Sequence, residues 1–208
     1  MTYQQQGNSC GAWCAAHRLA IGEDRVLANA ATFTAHARSI YARARFNPAD
    51  ANPAWTPRYR SIFANWCNLG YSDPWRIVAN LRWSGIQAEI RMAPGAVGVG
   101  GQLGEMRDIL EGIGTRGVQP PRPGNLADIV PGFYAIGVFQ DGPGLHYLLL
   151  HNQGGQFRVY DPRSHQLNWR RLSQAVPPFL GTITTRVMVS GVGYQDMAYR
   201  FIGVLIRC

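Results

Sequence analysis

The stretch QQQGNSCGAWCAAH, Gln4–His17, places a cysteine directly before a segment with a helical pattern. Its polar run ends in Ser-Cys-Gly, and an alanine- and leucine-rich segment follows, which predicts a helix over Gly11–Ala20 with Cys10 at its first turn. The unpaired N–H groups and the positive dipole end of a helix favour a thiolate at that position. The same N–H groups suit an oxyanion. A nucleophilic Cys10 would still need a base, an orienting group and a second oxyanion donor.

A second informative stretch, GLHYLLLHNQGGQFRVYDP, is Gly144–Pro162 and predicts a β-hairpin. If Gln153 and Gly154 form a two-residue turn, His146 lies directly opposite Asp161, with Cβ atoms about 4.5–5.5 Å apart. Asp161 would then accept a hydrogen bond from one ring nitrogen of His146, and the other ring nitrogen would point towards a thiol. The inference depends on the turn, because a one-residue slip sends the two side chains to opposite faces. The alternative is a surface histidine beside an aspartate that starts a turn; the helix-start cysteine favours the catalytic interpretation.

The order of predicted elements indicates an α+β fold, because helices fill the first two-thirds of the chain and strands the last third. We expect one domain, with a helical lobe over about 1–130 and an antiparallel β lobe over about 131–208. Beyond the first helix, the predicted helices are Glu23–Arg45, Arg58–Asn68 ended by Gly70, one capped by Asp73 that runs through Arg82, and Glu105–Ile113. The predicted strands are Ile86–Met92, Phe133–Phe139, Leu145–His151, Gln156–Asp161, Gln166–Trp169, Thr182–Ser190 and Tyr199–Arg207, and a Pro/Gly loop is predicted over Thr115–Asn125.

Together the two stretches resemble the papain-like cysteine peptidases, most of all the bacterial bacteriocin-processing peptidases and the papain-like type III and type VI secretion effectors. The resemblance rests on a Gln ahead of a Cys-Gly helix start, then His-Tyr with an apolar strand, then Val-Tyr-Asp-Pro, over Gln4–His17 and His146–Pro162. It implies a papain-like fold, with the nucleophile at a helix start packed on the β lobe. It further implies Cys10 as nucleophile, His146 as base, Asp161 as orienter and a glutamine side chain in the oxyanion hole. The family spacing selects Gln4, with two neighbouring glutamines, Gln5 and Gln6, as competitors.

Cys14 is a rival nucleophile, because Trp13-Cys14-Ala15 also looks like a papain-type neighbourhood. It falls one turn inside the helix, away from the dipole end, so we favour Cys10. A metal site is a second alternative: Cys10, Cys14 and His17 share a helical face, and Cys67 could supply a fourth zinc ligand. We expect instead no metal and no cofactor, with Cys14 as a buried small side chain and His17 as an ordinary helix residue. Trp169 follows the hairpin closely enough to shield the His–Asp pair.

The composition limits the class of protein. The chain has 208 residues, 46% of them hydrophobic and 15% charged, as is typical of a globular protein. Its net charge is +8, and all twenty basic residues are arginine. Codon bias would explain this, and so would selection against lysine modification in a bacterial protein that works inside a eukaryotic cell. The arginines are scattered and accompany no nucleic-acid-binding motif, so we expect no nucleic-acid partner.

Apolar runs such as Tyr147–Leu150 are too short to cross a bilayer, and the N-terminal MTYQQQ lacks the charged and apolar regions of a signal peptide. We therefore expect a soluble protein with no membrane partner and free thiols, which a specialised bacterial secretion system could deliver into a target cell. The expected activity is hydrolysis of a protein or peptide substrate, as a bacterial effector or toxin restrained by a cognate inhibitor (an immunity protein). Two alternatives stay open: the same residues acting on a glutamine side chain in deamidation or transglutamination, and a non-catalytic papain-like binding module.

Overall fold

The structure, a computed structural model, combines helices in the N-terminal part with a mainly antiparallel sheet in the C-terminal part. It describes residues 8–22, 30–92, 105, 108–110, 112–113, 122–123, 131–140, 144–154, 156–163, 170–171, 182–189 and 191–208. The helices are α1 (Cys10–Gly22), α2 (Ala30–Ala44), α3 (Pro57–Leu69) and α4 (Pro74–Trp83), with a 3-10 turn at Pro48–Asp50. The strands are β1 (Glu89–Met92), β2 (Arg122–Pro123), β3 (Gly132–Gln140), β4 (Gly144–Asn152), β5 (Phe157–Tyr160), β6 (Arg170–Arg171), β7 (Thr182–Val189) and β8 (Gly193–Arg207). The predicted α+β class is therefore confirmed.

None of the helices among the described residues has the length and apolar character needed to cross a membrane.

The ends of α3 and α4 follow from local chemistry. The Asp73 side chain accepts a hydrogen bond from the Trp75 N–H at 2.8 Å, so it caps α4, and Pro74 occupies the first helical turn. Gly70 ends α3 in the left-handed conformation, at φ 69°, which a residue with a side chain adopts only at a cost. Both predicted boundaries are confirmed.

Several predicted segments differ from the structure or lie wholly or partly outside the described residues. Arg122 and Pro123, expected in a loop, form β2 and pair in parallel with β1. Of the predicted helix Glu23–Arg45, residues 23–29 lie outside the described residues, and the predicted strand Gln166–Trp169 lies outside them entirely. Of the segment predicted as a short helix over Glu105–Ile113, the described residues are helical.

The sheet order is β2-β1-β8-β3-β4-β5-β6, and β7 pairs with β8 in addition. The long β8 pairs with β7 over its first half, up to Arg200, and with β3 from Tyr199 to its end. Strand β4 lies between β3 and β5, and its six consecutive residues from Leu145 to Leu150 are buried. The sheet therefore places β4 where both a helix and the neighbouring strands can contact it.

The β4–β5 hairpin has a different turn from the predicted one. Asn152 pairs with Phe157, so four residues and not two separate the strands, and the Gln153 N–H donates to the Gln156 carbonyl at 2.8 Å. The prediction of a two-residue turn was therefore wrong, and so was the prediction that His146 lies directly opposite Asp161.

The error in register is two residues: Leu149 pairs with Tyr160 and His151 with Arg158. Because side chains alternate with a period of two, a shift by two leaves every residue on its predicted face. His146 and Asp161 consequently share a face as diagonal neighbours, a separation that an imidazole ring can bridge.

Helix α1 packs on β4 and β3, and its buried side belongs to one continuous apolar core with α2, α4 and the sheet. The approach is close at Gly11, where a Cβ atom would lie 2.9 Å from Ser72 Cβ and 3.2 Å from Tyr147 Cδ2. It would also press on the end of the Ile77 side chain. Glycine at this position therefore sets how closely the start of α1 approaches β4.

We expect Gly11→Ala to lower the free energy of unfolding by about 1–3 kcal/mol through overpacking, although alanine is the better helix former. The same clash would push Cys10 away from β4 and slow its alkylation by iodoacetamide. Urea denaturation and mass spectrometry measure the two effects.

Gly154→Ala is the control, because Gly154 has no atom within 4 Å of an added Cβ and only its φ of 69° opposes the change. We expect it to cost about 1 kcal/mol and to leave Cys10 alkylation unchanged. A Gly11→Ala protein with wild-type stability and wild-type Cys10 reactivity would contradict the close packing of α1 on β4.

Candidate active site

Cys10 is the first residue of α1, and Ser9 directly precedes the helix. The Ser9 carbonyl accepts a hydrogen bond from the Trp13 N–H at 3.1 Å. The N–H groups of the first helical residues, starting with Cys10, have no partner within the helix and point out of its N-terminal end. They combine with the helix dipole to favour negative charge beside the Cys10 thiol.

Cys14 lies one turn further along α1 and has a different environment. Its side chain is fully buried, and the Cys14 Sγ donates a hydrogen bond to the Tyr147 carbonyl at 3.5 Å. Burial raises the pKa of the Cys14 thiol well above its ordinary value, an effect that the negative charges of Cys10 and Asp161 increase. A protonated thiol that donates to the backbone is a poor nucleophile. Cys14 instead ties α1 to β4 at the residue next to His146.

His146 and Asp161 form a buried pair. His146, on β4, and Asp161, directly after β5, are joined by a hydrogen bond of 2.9 Å between His146 Nε2 and Asp161 Oδ1. The exposed fraction is 1% for His146 and 5% for Asp161. A charge-assisted hydrogen bond in so dry a place is much stronger than the same contact in water. The carboxylate therefore fixes both the orientation and the tautomer of the ring.

Cys10 interacts with the same imidazole. Burial alone would lower the pKa of His146, but the negative charges of Asp161 and Cys10, together with the hydrogen bond to Asp161, raise it to about 9. Because Nε2 is bonded to Asp161, the Nδ1 atom is the one left for Cys10, and within the described residues Nδ1 has no hydrogen-bond partner of good geometry. The structure thus brings together Cys10, His146 and Asp161, three of the four residues predicted from the sequence.

The fourth predicted residue, Gln4, lies outside the described residues, as do its competitors Gln5 and Gln6 and the proposed shield Trp169. The position of Gln4 in the oxyanion hole stays a prediction.

Sequence reasoning missed two residues that contact Asp161. The Tyr199 hydroxyl donates to Asp161 Oδ2 at 2.7 Å, and the Thr185 hydroxyl donates to the same oxygen at 3.0 Å. The Tyr199 ring also stacks on His146, with ring centroids 5.2 Å apart and planes inclined by 25°. Burial would raise the pKa of Asp161, but the charge and hydrogen bond of His146, with the N–H of Arg163 and the Tyr199 hydroxyl, lower it below its ordinary value. Threonine and tyrosine are common in strands, so neither residue carried a sequence signal.

The predicted alternative of a zinc site gains no support from the geometry. Cys14 is engaged with a carbonyl, and within the described part of the chain no group of three or more His, Cys, Asp or Glu residues is arranged to hold a metal ion. His17 packs edge-on against Tyr160, with ring centroids 4.2 Å apart, and is 2% exposed. Burial lowers the pKa of His17 to about 3, so the imidazole is neutral in the folded protein at physiological pH.

His17 gives a prediction about acid stability. A histidine whose pKa falls on folding destabilises the protein as the pH drops from about 6.5 to about 3, because only the unfolded chain binds the proton readily. We expect wild type to lose about 2 kcal/mol relative to His17→Gln between pH 7.5 and pH 5. Urea denaturation at the two pH values measures the difference. Equal pH dependence of the two proteins would show that His17 is able to take up its proton inside the fold.

Comparisons with protein-family models, with curated proteins and with solved structures found no match to this chain.

Proposed function

We propose that this protein is a cysteine peptidase of the papain-like type, which hydrolyses a peptide bond through Cys10, His146 and Asp161. The observation that carries the proposal is the buried hydrogen bond between His146 Nε2 and Asp161 Oδ1, with the thiol of a helix-start cysteine against the same ring. A base, its orienter and a nucleophile in this relation form the arrangement on which thiol hydrolases depend. The negative charges beside His146 raise its pKa to about 9, so the ring is an imidazolium at neutral pH. An imidazolium beside Cys10 is the partner that a catalytic thiolate needs.

The proposed reaction proceeds in two halves. The Cys10 thiolate attacks the scissile carbonyl carbon, and the oxyanion accepts hydrogen bonds from the Cys10 N–H and, as the family resemblance implies, from the Gln4 side chain. The imidazolium of His146 donates its proton to the amine as the C–N bond breaks, which leaves an acyl group on Cys10. His146 then takes a proton from water, the hydroxide attacks the acyl carbon, and the thiolate leaves.

Access to the nucleophile is restricted, because Cys10 is 2% exposed and His146 is 1% exposed. A peptide that reacts with the Cys10 Sγ must reach it through a movement of the surrounding residues. We therefore expect a small reagent such as iodoacetamide to label Cys10 much faster than a bulky maleimide. Full denaturation should abolish that size dependence.

The test is a map of new protein N-termini in a cell lysate treated with wild type, Cys10→Ala or Cys14→Ala. Peptidase activity predicts new N-termini with wild type and with Cys14→Ala, and none with Cys10→Ala. A change of about one dalton at glutamine side chains would indicate deamidation, and cross-linked products transglutamination, by the same residues. If wild type and Cys10→Ala give identical products, the proposal fails and a binding role takes its place.

The biological proposal is a bacterial effector or toxin that is secreted into a target cell and held inactive by a cognate inhibitor. It rests on the family resemblance and on the absence of lysine from the sequence. Production of wild type and Cys10→Ala in bacterial and in eukaryotic cytosol tests it. Toxicity that depends on Cys10 in either host is the expected result, and growth unaffected in both would contradict the proposal.

A further inference from the structure

The four hydrogen-bond donors around Asp161 account for all of its acceptor positions. Oδ1 accepts from His146 Nε2 and from the Arg163 N–H, each at 2.9 Å. Oδ2 accepts from the hydroxyls of Tyr199, at 2.7 Å, and Thr185, at 3.0 Å. An ionised carboxylate has about four acceptor positions and no donor, so this set of donors matches the charged form of Asp161 and disfavours the protonated one.

The two hydroxyls come from a part of the chain remote from the hairpin that carries His146 and Asp161. Thr185 lies on β7 and Tyr199 on β8, and the register of these strands pairs Thr185 with Met197 and Ile183 with Tyr199. Thr185 and Tyr199 are therefore diagonal neighbours on one face of the β7–β8 pair. The fold brings both hydroxyls to one carboxylate oxygen by a regular strand pairing, without an irregular loop.

Tyr199 makes a second contact with the same site through its ring. Its side chain is fully buried, and it stacks on the His146 imidazole at a centroid distance of 5.2 Å. One side chain thus restrains both members of the pair: the hydroxyl holds the Asp161 carboxylate, and the ring limits rotation of His146. Thr185, 4% exposed, supplies the second hydroxyl in an equally dry environment.

We infer that Tyr199 and Thr185 are positioning residues, which hold Asp161 as a carboxylate and hold the His146 ring in the orientation that faces Cys10. Their place in a catalytic cycle rests on the proposed peptidase function. The restraint itself is a property of the folded protein and is measurable without a substrate. The β7–β8 pair is, by this inference, part of the active site.

The experiment compares Tyr199→Phe and Thr185→Val, which each remove one hydroxyl and keep the shape of the side chain. Titration of the Asp161 carboxyl carbon by ¹³C NMR, assigned from Asp161→Asn, should show its pKa raised by roughly one unit in each variant. The pH at which iodoacetamide labelling of Cys10 falls off on acidification should rise together with the pKa of Asp161. Tyr199→Phe should keep the His146 ring fixed, because the aromatic ring stays in place. Tyr199→Leu also removes the stacking, so at neutral pH it should label at Cys10 more slowly than Tyr199→Phe.

Matched controls come from the same two strands. Tyr194→Phe and Thr184→Val remove hydroxyls from exposed residues of β8 and β7, and both should leave the Asp161 titration and the labelling profile unchanged. If Tyr199→Phe does not fold, Thr185→Val alone decides. An unchanged pKa of Asp161 in the folded variants, or equal shifts in the controls, would overturn the inference. Failure of the peptidase proposal would appear instead as a wild type that cleaves nothing, with the Asp161 shifts intact.

Discussion

Replacement of Cys10 with alanine is expected to lower the rate of substrate cleavage by at least about a thousandfold, because no other described thiol lies against the His146 ring. The fold should persist, since the change removes one sulfur atom from a buried position and costs about 1 kcal/mol. The variant has a second readout. The negative charge of Cys10 helps to raise the pKa of His146, so in Cys10→Ala that pKa should lie below about 9, which NMR titration of the imidazole measures.

Cys14→Ala is the matched control, four residues further along the same helix. It removes the hydrogen bond from Cys14 Sγ to the Tyr147 carbonyl but no group that touches His146, so activity should stay within a few-fold of wild type. Iodoacetamide should label Cys10 first in the wild type, since burial raises the pKa of the Cys14, Cys67 and Cys208 thiols. Labelling of Cys14 with Cys10 untouched would assign the nucleophile to Cys14 and refute the mechanism.

The agreement between sequence and structure is best where the determinants are local. Helix ends depend on residues within one turn, so Asp73, Pro74 and Gly70 were sufficient to predict where α3 stops and α4 starts. The helix start at Cys10 depends in the same way on its immediate neighbours. These parts of the fold could be predicted because no distant residue decides them.

The hairpin shows what a local pattern leaves undetermined. Alternation of apolar and polar residues fixes which face each residue occupies, but the turn fixes the register, and Gln153-Gly154-Gly155 allows more than one turn. The predicted register was two residues from the observed one, yet His146 and Asp161 kept a common face. A one-residue error would have separated them.

The non-local contacts could not be predicted. β2 joins β1 through a pairing of two residues that carry no strand signal, Arg122 and Pro123. Tyr199 and Thr185 reach Asp161 only because β7, β8 and β5 meet in one sheet. Nothing within ten residues of Tyr199 in the sequence indicates a carboxylate partner. The orienter of the candidate triad was predictable, whereas the groups that hold the orienter were not.

Replacement of Asp161 with asparagine is expected to lower cleavage at pH 7 by about a hundredfold to ten-thousandfold while preserving the fold. The amide oxygen can still accept from His146 Nε2 and the Arg163 N–H, and the hydroxyls of Tyr199 and Thr185 can rotate to accept from the amide nitrogen. The substitution removes the negative charge of Asp161. Burial lowers the pKa of His146, and this charge is the largest effect that raises it. That pKa should therefore fall from about 9 to below its ordinary value, and the imidazolium should be lost at neutral pH. Asp161→Ala, which also leaves the buried donors unpaired, should be less stable than Asp161→Asn by about 1–3 kcal/mol.

The pH dependence of stability separates the loss of charge from a loss of structure. A histidine whose pKa is raised on folding contributes stability that is fully present below about pH 6.5 and is lost as the pH rises to about 9. Between pH 6 and pH 9.5, wild type should lose about 3 kcal/mol relative to Asp161→Asn, in which His146 is already neutral. Asp161 itself has a lowered pKa, so its own contribution is lost only on acidification and stays constant over this range. Parallel stability curves for the two proteins in urea denaturation would mean that Asp161 does not hold a charged His146. The thiolate–imidazolium pair would then have to be abandoned, even if Cys10→Ala is inactive.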